Sequence, residues 1–149
     1  MGQRKFREEV TAPSFNPVIS FTSTAAIIKN RVVKLANTGN IKHTTGTSGR
    51  AVVGVALAAA TGGGKKIPVQ WFGKVAIQVS TRAVAIGDWV RASSGAASTA
   101  SNLGGTVRTT TVNNQILGIA LTSAAAAAAG TQRTVNVLLN PTINTVALV

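Results

Sequence analysis

The sequence has no cysteine, no tyrosine, one histidine and three acidic residues among 149. Without cysteine the chain forms neither disulfides nor thiolate metal sites, and it has no cysteine nucleophile. Catalysis by paired carboxylates needs two acids close together, yet Glu8 and Glu9 lie near the start and Asp88 stands alone elsewhere. One histidine cannot supply a usual zinc shell without cysteines. We therefore expect no metal, no cofactor and no enzymatic activity.

Two patterns are superficially similar to catalytic or nucleotide-binding motifs. His43, Asp88 and a serine could be combined into a hydrolase triad, but the chain has no Gly-x-Ser-x-Gly elbow, and capping of a Gly-Asp turn explains Asp88. Residues 61–66 (TGGGKK) fail as a phosphate-binding loop because Ala59 replaces the first glycine and a lysine replaces the hydroxyl that binds magnesium. We expect a hairpin loop there, and a solvated His43 in a polar loop.

The net charge of +12, from 15 basic and three acidic residues, indicates an anionic partner or surface. Nucleic acid and an acidic protein shell both meet this description. The basic residues are scattered, with small clusters at residues 4–7 and at residues 65 and 66. No stretch approaches the roughly 18 apolar residues of a membrane span, and no signal-peptide pattern is present. We expect a soluble, unprocessed chain with no membrane partner.

From about Ala25 onward, short β-branched runs alternate with Gly, Ser, Thr and Asn clusters, which is typical of short strands joined by turns. No segment sustains a helical period of 3.6 residues. The predicted strands are residues 31–35, 51–57, 67–72, 74–79, 89–92, 116–121 and 134–139.

An internal repeat appears when residues 53–57 (VGVAL) are aligned with residues 117–121 (LGIAL). Each pentapeptide is followed by a loop of small residues and an alternating strand, and each is preceded by a strand that contains basic residues. This order predicts an all-β fold of two pseudo-repeated three-strand units, joined by residues 73–87, in a compact β-barrel, β-tulip or sandwich.

Residues 1–24 are predicted to be an extended N-terminal arm, followed by a β domain at 25–140 and an apolar C-terminal tail at 141–149. The arm has two prolines, which disfavour a helix interior, and three of the four phenylalanines. Because disordered tails are typically poor in aromatics, we interpret the arm as an attachment device. Its predicted binding residues are Arg4, Lys5, Phe6, Arg7, Phe15 and Phe21.

A series of short motifs follows in order between about residues 30 and 140. They are Gly54-Val55-Ala56-Leu57, a small-residue loop, residues 69–73, Ile86-Gly87-Asp88-Trp89-Val90, Gly118-Ile119-Ala120-Leu121 and Val135-Asn136-Val137-Leu138-Leu139-Asn140. In this order they resemble the small capsid decoration, or cement, proteins of tailed double-stranded DNA phages. The chain departs from the short family members in its basic surface, in its long arm, and in Asn30-Arg31, where a Gly-Asp turn is common.

The resemblance implies a compact fold of the tulip or barrel type that assembles as a homotrimer on the outer surface of the virion capsid. There it would bridge major capsid subunits and stabilise the head, without catalysis. On this hypothesis the arm residues bind the capsid or a neighbouring subunit, and the charge serves an acidic shell. The apolar residues 143–149 also favour the trimer, because a lone small barrel has little reason to expose them.

A basic β-barrel that binds single-stranded nucleic acid is the alternative hypothesis, and a protein-binding β module outside phages is a further one. Lys65, Lys66, Trp71, Phe72 and Lys74 could form a basic face with stacking aromatics. Adjacent aromatics in a strand point to opposite faces, however, so only one of the two could stack on a base. We therefore do not expect nucleic acid to be the main partner.

Overall fold

The computed structural model describes residues 17–44, 52–79, 82–92, 107–109, 116–125 and 133–140. These residues form two antiparallel five-stranded sheets. The strands of the first sheet are β1 (Val18–Thr22), β2 (Val32–Leu35), β3 (Ile41–His43), β4 (Val52–Ala56) and β5 (Lys66–Gln70). Those of the second are β6 (Gly73–Gln78), β7 (Trp89–Ala92), β8 (Val107–Thr109), β9 (Ile116–Ala120) and β10 (Thr134–Leu139). None of the described segments is a helix with the length and hydropathy to cross a membrane.

The second sheet repeats the strand order of the first. The orders are β1-β5-β4-β2-β3 and β6-β10-β9-β7-β8, so each strand has an equivalent five strands later in the chain. One sheet comes entirely from residues 18–70, the first repeat, and the other from residues 73–139, the second repeat. The predicted all-β pseudo-duplication is confirmed. Within the described ranges each unit has five strands instead of three, and the two sheets form a sandwich and not a closed barrel.

The repeats also share their irregular features. The β2–β4 pair changes register between Val33 and Lys34, and the β7–β9 pair does so between Val90 and Arg91. The turn before β2 has Asn30 at φ 61°, and the turn before β7 has Gly87 at φ 86°. Asparagine tolerates the left-handed region better than most side chains. Asn30 can therefore occupy the turn position at which the sequence departs from the Gly-Asp pattern.

Backbone hydrogen bonds around these turns are duplicated as well. The N–H of Ala56 donates to the Arg31 carbonyl at 2.9 Å, and the N–H of Ala120 donates to the Asp88 carbonyl at 2.9 Å. In return, the N–H of Asn30 donates to the Ala56 carbonyl at 2.8 Å. The N–H of Gly87, its equivalent in the second repeat, donates to the Ala120 carbonyl at 2.9 Å. These bonds equate Arg31 with Asp88 and fix the structural alignment of the two repeats.

The buried side chains form two clusters. The smaller belongs to the first repeat alone and consists of Ile27, Val33, Ile41, Ala56, Ile67 and Val69. The larger contains the core of the second repeat together with Val32 and Val55, which come from the opposite face of the first sheet. Adjacent residues of a strand point to opposite faces, so Val32 and Val33 bury both faces of the first sheet.

A polar contact joins the two repeats beside the larger cluster. The buried Arg31 donates from Nε to Oε1 of Gln78 at 2.8 Å, and the backbone N–H of Gln78 donates to the Asn30 carbonyl at 2.8 Å. Burial lowers the pKa of the Arg31 guanidinium, which nevertheless remains charged in proteins. The end of β6 is therefore held against the turn that precedes β2.

Part of the predicted arm is a strand of the sheet. β1 pairs with β5 along its whole length, from Val18 opposite Gln70 to Thr22 opposite Lys66. The predicted boundary at residue 24 thus falls after the first strand. Residues 1–16 of the predicted arm and the predicted tail, 141–149, lie outside the described residues.

His43 is not a solvated loop residue, so that expectation was wrong. It ends β3, and its Nε2 accepts a hydrogen bond of 2.9 Å from the backbone N–H of Ile28. Burial and, next, the positive charge of Arg31 lower the pKa of the imidazole. This strand was not predicted, because it has only three residues and polar residues follow it.

This lowered pKa makes stability depend on pH. The unfolded chain, with an ordinary histidine pKa of about 6.5, binds the proton more readily than the folded protein. The contribution of neutral His43 is therefore fully present above about pH 6.5 and is lost as the pH falls through the lowered folded pKa. We expect the free energy of unfolding, measured with urea, to fall between about pH 7.5 and pH 5. His43→Gln should flatten this dependence, since the chain has no other histidine. Equal slopes in the two proteins would contradict the assignment.

Candidate functional site

Of the six predicted binding residues, Phe21 is the one that the structure describes. It lies in β1 opposite Ile67, is half-buried, and packs against the smaller core cluster. Arg4, Lys5, Phe6, Arg7 and Phe15 lie outside the described residues. Phe21 therefore packs β1 against the first sheet, and the binding role of all six residues stays a prediction.

β1 is an edge strand that pairs with β5 on one side, and Ser23, directly after it, forms a parallel bridge with Ile41 of β3 on the other. Ile19 lies opposite Val69 on the face of the smaller cluster, yet 49% of its surface is exposed. The Ser23 N–H donates to the Lys65 carbonyl at 2.9 Å. Because N–H directions alternate along an antiparallel strand, the N–H of Thr22 points away from β5. β1 thus presents the apolar side chain of Ile19 and the backbone N–H of Thr22 at the edge of the sheet.

The outward face of the second sheet has a row of exposed apolar side chains. Trp89 and Leu138 lie on either side of Ile119 in the strand pairing, and Leu121 follows two residues later on the same side. Trp89 is 42% exposed, Leu138 43% and Leu121 39%. We call Trp89, Ile119, Leu121 and Leu138 the apolar face. A contiguous exposed patch of large apolar side chains is typical of an interaction site.

Each repeat places two basic residues opposite each other. Lys34 lies opposite Lys42 in the β2–β3 pair, and Arg91 lies opposite Arg108 at the equivalent place in the β7–β8 pair. Asp88 is the one acidic residue in the described ranges. The described surface is therefore strongly basic, with little acidic compensation from its own side chains.

Asp88 has the structural role expected of it. Its Oδ2 accepts a hydrogen bond of 2.8 Å from the backbone N–H of Ala85, across the turn that contains Gly87. This bond caps the bend before β7. Within the ranges described, no three histidine or acidic side chains come together in a way that could hold a metal ion.

The basic and aromatic residues of the nucleic-acid hypothesis are not assembled as predicted. Lys66 begins β5, whereas Trp71 and Phe72 follow its end, so the strand separates them by roughly 13 Å or more. The two aromatics lie in the β5–β6 connection, not within a strand, and their ring centroids are 6.1 Å apart. Gln70 stabilises the β5–β6 connection, because its Nε2 donates to the Phe72 and Lys74 carbonyls, each at 2.9 Å.

Sequence reasoning missed the apolar face. In the sequence, Trp89 and Val90 form an alternating pair similar to Val32 and Val33, and nothing local distinguishes a covered face from an open one. The available signal was the size difference at aligned positions of the repeat, with tryptophan in one copy and valine in the other.

Comparisons with known proteins agree with this architecture. A family model described as phage cement protein matches residues 14–139, which span both repeats. No curated protein matches the chain by sequence. Among solved structures, the head fiber gp8.5 N base of bacteriophage phi29 is similar, with a TM-score of 0.56 and 14% identity over 83% of this chain and 94% of that chain. At this identity the similarity establishes the fold.

Proposed function

The chain belongs to the phage cement protein family, and from this membership we propose that it binds the outer surface of a phage head as a homotrimer. There it bridges major capsid subunits and stabilises the head. The family is one of structural phage proteins and not of enzymes. The observation that carries the proposal is the family match, because it spans both repeats and is accompanied by the fold of a phage head protein.

The charge distribution supports a protein shell as the anionic partner. The chain carries +12, and the basic pairs on β2–β3 and β7–β8 stand at equivalent register positions in two different sheets. A groove that follows a nucleic-acid backbone would need continuous basic residues with stacking aromatics. Basic patches spread over two repeats suit a broad contact with an acidic protein surface.

Binding to empty, undecorated capsids tests the proposal. We expect the protein to sediment with such shells at a saturating, fixed ratio to the shell subunits. Binding should be strongest at low salt and only partly weakened at high salt, because apolar contacts are not screened. Failure to bind the shell of its own phage at any salt concentration would refute a decoration function.

The nucleic-acid alternative makes a different prediction for the same protein. Sub-micromolar binding to single-stranded DNA at about 0.15 M salt, with a log-log salt slope of several units, would favour it. Replacing both Lys65 and Lys66 by glutamine should then reduce the slope by about 2. Under the decoration proposal, the wild type should show no such high-affinity DNA binding.

A further inference from the structure

The two repeats bury equivalent faces to different extents. The strand registers equate Val32 with Trp89, and Val55 with Ile119. Val32 and Val55 are 0% exposed, whereas Trp89 is 42% exposed and Ile119 is only half-buried. The same face of the fold is therefore covered in the first repeat and open in the second.

In the first repeat, that face is covered by the second repeat of the same chain. Val32 and Val55 belong to one cluster with Val75, Ile77 and the rest of the second core. At the border of this contact, the N–H of Gln78 donates to the Asn30 carbonyl. In this contact the first repeat contributes the sheet face that carries Val32 and Val55, together with the turn before β2. The second repeat contributes the side that contains β6, its first strand. Such a contact is heterologous, because the two partners use different surfaces.

The first repeat leaves open the surface that the second uses in this contact. β1 is equivalent to β6, which equates Ile19 with Val75 and Phe21 with Ile77. Val75 is 5% exposed and Ile19 is 49% exposed. Likewise Ile77 is fully buried, whereas Phe21 is half-buried. The part of the chain that the structure describes therefore has one open surface of each kind: the apolar face of the second repeat and the β1 edge of the first.

We propose that the apolar face of one copy binds the β1 edge of a second copy, so that copies associate head to tail. The two repeats of one chain pack through equivalent surfaces, and the contact between chains would repeat that packing. A heterologous contact closes into a ring when its rotation permits. The inference therefore specifies the surfaces through which the homotrimer of the proposed function assembles, and it rests on that part of the proposal.

The polar groups at the equivalent positions are also complementary. Thr22 corresponds to Gln78, and Gly87 corresponds to Asn30, so the outward N–H of Thr22 would donate to the Gly87 carbonyl of the neighbouring copy. Asp88 stands where Arg31 stands in the first repeat. The Thr22 hydroxyl and the Asp88 carboxylate would then lie at the border where Gln78 and Arg31 meet within one chain.

Two charge substitutions test the two surfaces separately. Trp89→Glu alters the apolar face, and Ile19→Glu alters the β1 edge. Leu35→Glu is the matched control, because Leu35 is 39% exposed and belongs to neither surface. We expect the wild type and the control to form oligomers, measured by light scattering at about 1–100 µM protein. The dissociation constant for self-association should be at least about 100-fold larger for each test variant, because a carboxylate would be buried without a partner. Circular dichroism and thermal unfolding should show that all variants fold.

Mixing the two test variants distinguishes a heterologous contact from a symmetric one. Trp89→Glu keeps an intact β1 edge, and Ile19→Glu keeps an intact apolar face. Their equimolar mixture should therefore form a heterodimer with one sound contact and no larger ring. A monomeric wild type, a mixture that stays monomeric, or an oligomer that only one substitution disrupts would overturn the inference. Sedimentation of the monomeric variants with capsids is scored separately, so loss of self-association is distinguished from failure of the decoration function.

Discussion

Replacing Gly118 by alanine should destabilise the protein by about 3 kcal/mol or more, the largest effect that we expect from adding a single methyl group. A Cβ at this position would overlap the carbonyl oxygen of Leu138 and lie 3.1 Å from the Cα of Leu139. Both are backbone atoms of β10, the strand that pairs with β9 on this side. No side-chain rotation relieves the overlap, so the two strands must separate.

The repeat provides an independent test of the same argument. A Cβ on Gly54, the equivalent glycine in β4, would overlap the carbonyl oxygen of Gln70 in β5. Gly54→Ala should therefore cause a loss similar in size to that of Gly118→Ala. Gly62→Ala is the control, because its added Cβ would have no atom within 4 Å. The control should change the free energy of unfolding by less than about 1 kcal/mol.

Urea unfolding monitored by tryptophan fluorescence measures these differences. If Gly118→Ala and Gly54→Ala are both as stable as Gly62→Ala, the close approach of the paired strands is not a requirement of the fold. A large loss at one glycine and none at the other would contradict the structural equivalence of the two repeats.

Deleting residues 1–16 should leave the sandwich folded and sharply weaken retention on the capsid. The deleted segment contains Phe6 and Phe15, and burying each ring would contribute about 1.5 to 3 kcal/mol before the cost of ordering the chain. If the arm binds the shell or a neighbouring subunit, several such contacts in the proposed trimer would make release very slow. Release should therefore be much faster from decorated heads that carry the truncated protein, measured after dilution or heating.

A longer deletion, of residues 1–23, separates attachment from folding. It also removes β1 and so exposes the edge of β5. We expect this protein to lose stability, whereas the protein lacking 1–16 should unfold at nearly the wild-type temperature. If the protein lacking 1–16 decorates and stabilises heads as well as the intact protein, the arm has no attachment function.

Strand positions could be predicted where β-branched runs were bounded by turn residues, as for β7 and β10. β3 was missed because its sequence, Ile41–His43, is short and contains two basic or polar side chains. β1 was read as arm because prolines and phenylalanines surround it, although its valine and isoleucine suit a strand. Residues 71 and 72 were assigned to β5, but the chain turns there, and Gly73 has the positive φ that this turn requires.

The candidate surfaces were harder to predict than the fold. The arm was predicted from composition, because aromatic and basic residues stand out in a local window, and that prediction lies mostly outside the described residues. The apolar face depends on which strands become neighbours and on which repeat covers the other, and both are properties of the tertiary arrangement. The equivalent residues Val55 and Ile119 have similar side chains, yet one is fully buried and the other half-buried.

Each sheet is formed by one continuous part of the chain, and this affects folding during synthesis on the ribosome. All strands of the first sheet have been made once residue 70 leaves the ribosome, whereas the second sheet needs β10, at Thr134–Leu139. At about 5 to 20 residues per second, the nascent first sheet waits several seconds for its partner. During that interval Val32 and Val55 face solvent. The half-made chain therefore exposes apolar surface that the finished protein buries, which favours aggregation at this stage.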